Sequence, residues 1–206
     1  ALTNSGQQFL KQLDNPYGYG PSFNQMNLSD VPLVHSKNIN GQNVLIGILD
    51  SGFDWKLHNS LKDRNVIAEY DFIFDDSVTA NQPEDSPSQD NHGTYVFSII
   101  AGFADSILIG PAFNSSYILA KIEDIRSETT IEEDNYAAAL IWMEYYGVDI
   151  TTSSLGYNIF DTGYSYTYSD MDGRTTIVTK AAELSYQRGV CTITAAGNEG
   201  NNSWGY

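Results

Sequence analysis

The sequence predicts an α/β fold: a three-layer parallel sheet with helices on both faces. Three observations carry this expectation. Short apolar runs of strand length, rich in β-branched residues, recur at 44–49, 117–122, 148–152 and 190–196. Two long amphipathic segments, 128–146 and 174–188, lie between them, and each is closed by a glycine, Gly147 and Gly189. Strands and helices alternate along the chain, as parallel strands joined by crossover helices require.

Residues 1–27 are polar with scattered aromatics, and Asn15-Pro16-Tyr17-Gly18-Tyr19-Gly20-Pro21 suits neither a helix interior nor a central strand. An extended arm is expected there, ahead of a domain over 28–206. Residues 29–36 fit a short helix, with Ser29 or Asp30 as cap and Pro32 near its start. The first main strand, 43–50, follows the Asn40-Gly41 turn. A strand or strand pair is expected at 66–74 and a polar loop at 75–89. A buried helix should run to Gly102, capped by Asp90 or Asn91, and Gly93 in its first turn signals a close approach to the backbone. The inner face of the 128–146 helix is expected to hold Ile131, Asn135, Ala138, Ala139, Trp142 and Met143, with Glu132, Glu133 and Asp134 at its favourable N-terminal end. For 174–188 the inner face is expected to be Ile177, Val178, Ala181, Leu184 and Ser185. Cys191 reads as a small buried hydrophobe in the last strand.

The chain has 206 residues, enough for one domain with a real core. Its 26 acids and 10 bases give a formal net charge of -16, which argues against nucleic-acid and anionic-membrane partners. No stretch approaches the roughly 20 apolar residues of a membrane span. One cysteine excludes a disulfide within the chain.

Several chemically able residues fall where α/β sheets gather their chemistry, at the C-terminal ends of strands. Asp50 ends the first strand, and a buried carboxylate there needs a partner. His92 opens the buried helix, Ser153-Ser154-Leu155-Gly156 leaves the third strand, and Asn198 follows the fourth between two glycines. A carboxylate accepting from one imidazole nitrogen leaves the other as a base toward a nucleophile. An amide aimed into a cleft can donate to an oxygen that is gaining charge. The plain alternatives are a capping histidine and a simple Gly197–Gly200 turn. The acids at 75–85 and 161–172 lack calcium-loop spacing, so solvated loops are the simpler reading, with structural calcium as the other and no metal ligand assigned. His35 and His58 have no metal-ligand companions at useful spacing. Asp50-Ser51-Gly52 and Asp161-Thr162-Gly163 also fit the paired triplets of aspartic peptidases, but two long helices disagree with that nearly all-β fold.

Four blocks together resemble the subtilisin-like serine peptidases, the subtilase family. They are Ile48-Leu49-Asp50-Ser51-Gly52-Phe53-Asp54, Asn91-His92-Gly93-Thr94 through Gly102, Ser154-Leu155-Gly156, and Ala195-Ala196-Gly197-Asn198-Glu199-Gly200, in family order over roughly residues 28–202. The resemblance implies the N-terminal portion of a subtilisin-like catalytic domain, incomplete at its C-terminus. It implies a secreted or cell-envelope serine endopeptidase that needs no cofactor and acts on peptides or proteins. Asp50 would orient His92, His92 would shuttle the proton, and Asn198 would donate to the oxyanion. Ser153, Ser154, Leu155 and Gly156 would bind the substrate backbone as an added strand. His58 resembles a structural histidine packed behind the aspartate. Asp170-Met171-Asp172-Gly173-Arg174-Thr175-Thr176 and the Tyr-Gly arm look most like secreted enzymes of Bacteroidetes. The family's nucleophile stands in a Gly-Thr-Ser block, and none occurs in the 206 residues. Ser51 and Ser154 open no helix that would direct them at His92. The chain alone is therefore expected to be inactive, its serine lying on a C-terminal remainder that is a second chain or a missing segment. The alternative is a non-catalytic peptide-binding pseudopeptidase or scaffold module.

Overall fold

The computed structural model describes residues 16–198 and Gly200. The described residues divide into two compact units, 16–44 with Trp55–Asn65 and Tyr95–Ser116, and Leu45–Asp54 with Val66–Thr94, 117–198 and Gly200.

In the first unit a 3₁₀ turn at Gly20–Ser22 runs into helix α1, Phe23–Leu28, and then α2, Val31–His35. Of the arm expected over 1–27, residues 1–15 lie outside the described residues, and the rest is helical from Gly20 onward rather than extended. The aromatics explain the difference, because they need a core. Tyr19, Met26, Ile109 and Phe113 are buried together, with Tyr17, Phe23, Val31 and Phe103 packed against them. His35 sits among them, 2% exposed. Its Nε2 lies 2.9 Å from the Pro111 carbonyl and its Nδ1 2.5 Å from the Tyr19 hydroxyl. A carbonyl only accepts, so Nε2 carries the proton and Nδ1 accepts from Tyr19. Burial pushes this imidazole's pKa down, opposed by the Pro111 bond. His58, expected to be a packing residue, is instead exposed, with Nδ1 2.9 Å from the Ser60 hydroxyl.

The second unit is built on a five-stranded sheet, and the fold is mixed α/β with a mostly parallel sheet flanked by helices. Its strands are β1 (Leu45–Asp50), β2 (Asn65–Asp71), β5 (Ser116–Lys121), β6 (Ile150–Ser153) and β7 (Cys191–Thr194), in the order β2-β5-β1-β6-β7. The pair β3 (Phe103–Ala104) and β4 (Leu108–Ile109) belongs to the first unit. β1 lies parallel to β6 with Leu49 opposite Ser153, and β6 parallel to β7 with Ser153 opposite Thr194. Ile48 and Leu49 are fully buried in this central strand, each stabilising by about 1.5–3 kcal/mol relative to exposure. Three helices complete the main elements: α3 (Asn91–Ala101), whose first turn lies in this unit, α4 (Ile131–Tyr145) and α5 (Ile177–Gln187). Thr176 caps α5 by accepting from the Thr179 N–H, which fixes its start three residues later than the sequence suggests.

The inner face of α4 differs from expectation. It comprises Glu132, Glu133, Tyr136, Ala139, Leu140 and Met143, whereas Ile131 is 57% exposed. Each of the two buried glutamates meets a hydrogen-bond donor. Glu132 accepts from the Thr129 N–H at 3.0 Å, and Glu133 from the Tyr166 hydroxyl at 3.0 Å. In α5, Ser185 is buried and Val178 and Ala181 face the core, but Leu184 is 52% exposed. β7 also departs: among the described residues it is the last strand of the sheet, Cys191 is exposed and Ile193 is 52% exposed.

The acidic loop at 75–89 is anchored rather than freely solvated. Lys121, with no exposed side-chain surface, places Nζ 2.8 Å from Asp71 and 2.7 Å from Asp85. The Phe74 ring lies 4.9 Å from the same ammonium. Asp161 accepts from the Glu128 N–H, and Asp172 from the N–H groups of Arg174 and Thr175. These carboxylates are engaged by N–H donors, and among the described residues no group of three acids, histidines or cysteines is placed to hold a metal.

Candidate active site

β1 delivers Asp50 to its C-terminal end with no exposed surface. One oxygen, Oδ1, carries the carboxylate's contacts. It accepts from the Ser51 N–H at 2.8 Å and the Ser51 hydroxyl at 3.2 Å, and lies 2.7 Å from His92 Nδ1. A carboxylate can only accept, so Nδ1 bears the proton and neutral His92 presents its lone pair at Nε2. The bond to Asp50 raises the His92 pKa; burial opposes it, and the charges of Asp50 and Glu123 add to the rise. The imidazole is 54% exposed, so its free edge is open to a reactant.

The approach depends on Gly93. A Cβ there would stand 2.2 Å from the Gly52 carbonyl oxygen and 3.0 Å from Asp50 Cβ. Only a glycine lets the first turn of α3 lie this close to the end of β1. Behind it, the Asp54 N–H donates to the Thr94 hydroxyl at 2.8 Å, and that hydroxyl donates to the Asp90 carbonyl at 2.6 Å. The Asp90 carboxylate does not cap α3. It accepts from the Asn81 N–H at 3.0 Å, while Asn81 Oδ1 accepts from the Asp90 N–H.

A cavity of about 380 Å³ opens beside the imidazole, lined by His92, Ser154, Leu155, Gly156, Asn158 and Asn198 among others. A second, of about 290 Å³, shares Leu155 and Gly156 and runs over Ser153, Tyr136, Met171 and Val178. The structure thus brings Asp50 and His92 into direct contact and sets Ser154, Leu155, Gly156 and the exposed Asn198 around one cavity with His92. Ser153 is buried and lines the other cavity. Ser51 points its hydroxyl back to Asp50.

Sequence reasoning missed the acidic shell. Glu123 follows β5, and its pKa is pushed up to about 8 by burial and by the like charges of Glu128, Glu132 and Asp50. Glu132 rises to about 7, chiefly through burial. The Tyr157 hydroxyl donates to Glu123 at 3.4 Å. The only sequence signal for Glu123 is its place at a strand end, the same signal that marked Asp50.

The family model of the subtilases, peptidase S8, matches residues 41–206. The chain belongs to the subtilase family. Thermophilic serine proteinase of Bacillus sp. strain AK1 is 28% identical over 189 residues, covering 91% of this chain and 40% of that protein. Subtilisin of Bacillus pumilus is 29% identical over 174 residues, covering 83% of this chain and 53% of the other. Fervidolysin from Fervidobacterium pennivorans, a keratinolytic enzyme related to subtilisin, superposes with a TM-score of 0.65 at 24% identity, over 92% of this chain and 26% of that one. The Clostridium perfringens CspB protease gives 0.63 at 23% identity, over 85% and 41%. The subtilase chain described here therefore spans about half or less of the relatives it matches.

Proposed function

We propose that this subtilase segment is the Asp-His portion of a serine endopeptidase that hydrolyses peptide bonds, with its nucleophilic serine outside this chain. The observation that carries the reading is the 2.7 Å contact of His92 Nδ1 with buried Asp50, which leaves Nε2 as a base beside an open cavity. In this reading Asp50 holds the imidazole's tautomer and stabilises its charged form. His92 takes the proton from the serine and returns it to the leaving amine. Asn198 donates to the oxyanion, and the edge at Ser153–Gly156 pairs with the substrate backbone. Among the described residues, the lining of the cavity over Tyr136, Met171 and Val178 carries no charged side chain, which supports an uncharged side chain beside the scissile bond. A C-terminal remainder of the same protein supplies the serine. The segment requires no cofactor for the chemistry, and the enzyme works outside the cytoplasm or in the cell envelope.

A fluorophosphonate serine probe followed by denaturing intact-mass analysis of the purified protein tests this. A probe adduct on a polypeptide that contains or accompanies this chain, lost in Asp50→Asn and His92→Ala variants, is the expected result. A serine-free remainder that takes no label while peptide binding persists would replace the reading with a peptide-binding module.

A further inference from the structure

The residue that joins the site's parts most directly is one the family motifs do not include. Gln89 is fully buried, three positions before His92. Its Nε2 donates to the Ser51 carbonyl at 2.7 Å and also to the Glu123 carbonyl, and its Oε1 accepts from the Ile125 N–H at 3.1 Å. The amide's orientation is forced, because its nitrogen meets two carbonyls and its oxygen meets an N–H. One side chain thus bonds the loop leaving β1, directly after Asp50, and the loop leaving β5, while its own backbone leads into α3. The Gln89 N–H closes a turn onto the Ser86 carbonyl at 2.9 Å, which fixes where the side chain starts.

We propose that Gln89 is a positioning residue for the Asp50–His92 pair: its amide sets the spacing between the end of β1 and the start of α3, and with it the alignment of the imidazole on Asp50. The inference rests on the peptidase reading for its consequence in catalysis, but its geometry does not. Each of the three bonds terminates on backbone, so they hold the position of two loops and the helix start rather than the rotamer of a neighbour. A methionine fills the same volume but leaves two carbonyls and one N–H unpartnered, so the loops are free to separate. An asparagine keeps the amide but is one methylene short and cannot bridge both exits.

The test uses the protein together with its C-terminal remainder, the His92 ring signals being identified by their loss in a His92→Ala variant. Gln89→Met and Gln89→Asn are followed by ¹⁵N-edited NMR of the imidazoles against pH, with circular dichroism to establish folding. The groups facing His92 are Asp50 and Glu123, both unchanged in the variants. The expected result is that the His92 titration falls toward that of an ordinary histidine and its Nδ1 proton signal to Asp50 weakens, while His35 titrates as before. In the serine-bearing enzyme the same variants are expected to lower kcat by about 10²-fold with KM within about twofold, the scale of a small misplacement of a catalytic group. Their acid limb against pH should move with the His92 titration. If either folded variant keeps the parent's His92 titration and Nδ1 signal, the proposal is overturned. If Gln89→Met does not fold, Gln89→Asn decides by the same readouts. Loss of the His92 signature in an enzyme that proves to have no hydrolytic activity would sustain the positioning role and reject the peptidase reading alone.

Discussion

Replacing Glu123 by glutamine should make the protein more stable at pH 8 while leaving it nearly unchanged at pH 4. Glu123 has an ordinary value of 4.5 and is pushed up to about 8 by burial and by Glu128, Glu132 and Asp50. A carboxyl moved that far represents about 5 kcal/mol between its two protonation states. Solvent reaches part of this side chain, so about half, 2–3 kcal/mol, is the reasonable expectation. The sign follows from proton linkage. Between pH 4.5 and 8 the folded chain holds a proton on Glu123 that the unfolded chain releases. Stability is therefore greatest below 4.5 and is lost as pH rises through that window. Glutamine resembles the protonated acid and can still accept from Tyr157, so the variant should lack this part of the loss. Urea denaturation of parent and Glu123→Gln at a series of pH values from 4 to 9 measures it. Equal losses of stability in the two proteins across this range would refute the reasoning.

Four further outcomes are expected. Asp50→Asn replaces the charged acceptor that raises the His92 pKa by a neutral amide, so NMR should find it titrating lower, and kcat in the proposed peptidase should fall by about 10⁴-fold. Lys121→Met leaves Asp71 and Asp85 buried without their cation, and chemical denaturation should register a loss of about 3–5 kcal/mol. Gly93→Ala drives a methyl into the Gly52 carbonyl, and should cost about 1–3 kcal/mol of stability together with displacement of His92 from Asp50, read in the imidazole spectrum. His35, whose folded pKa lies below its ordinary 6.5, contributes stability above that value that is lost as pH falls; its ring signal should titrate below 6.5, and acid should unfold the parent more readily than a folded His35→Gln variant.

What the sequence made legible was set by how local the cause is. The run into Asp50 is readable because a buried parallel strand is apolar on both faces and its end is marked by a carboxylate and a glycine. Gly93 is readable because a glycine in a first turn has few other reasons to be there, and the Gly52 carbonyl supplies the reason. The α4 face was misread because Glu132 and Glu133 count as solvent-facing in any periodicity argument. They are buried through donors on Thr129 and Tyr166, the second of these 33 positions away. Cys191 and Ile193 read as core because they are apolar, but position in the sheet is a tertiary fact, and among the described residues β7 lies at an edge. Gln89 gave no signal at all: a glutamine in a polar loop is ordinary until its three backbone partners, each over 30 positions away, are known.

The formal charge of -16 overstates what surrounds the imidazole. Glu123 and Glu132, at about 8 and 7, hold protons through much of the neutral range. Asp50 is the carboxylate in hydrogen-bond contact with His92, and Glu123 acts on it only through charge. Each deprotonation of Glu123 favours the charged form of His92, and each protonation of His92 favours the charged form of Glu123. The Glu123 charge is nonetheless the smallest of the causes acting on His92, after the Asp50 bond, burial and the Asp50 charge. With Glu123 replaced by glutamine that contribution is gone, and the remaining displacement of His92 is set by Asp50 and by burial. The variant that separates the stability contributions thus also isolates the Asp50–His92 bond on which the proposed chemistry depends.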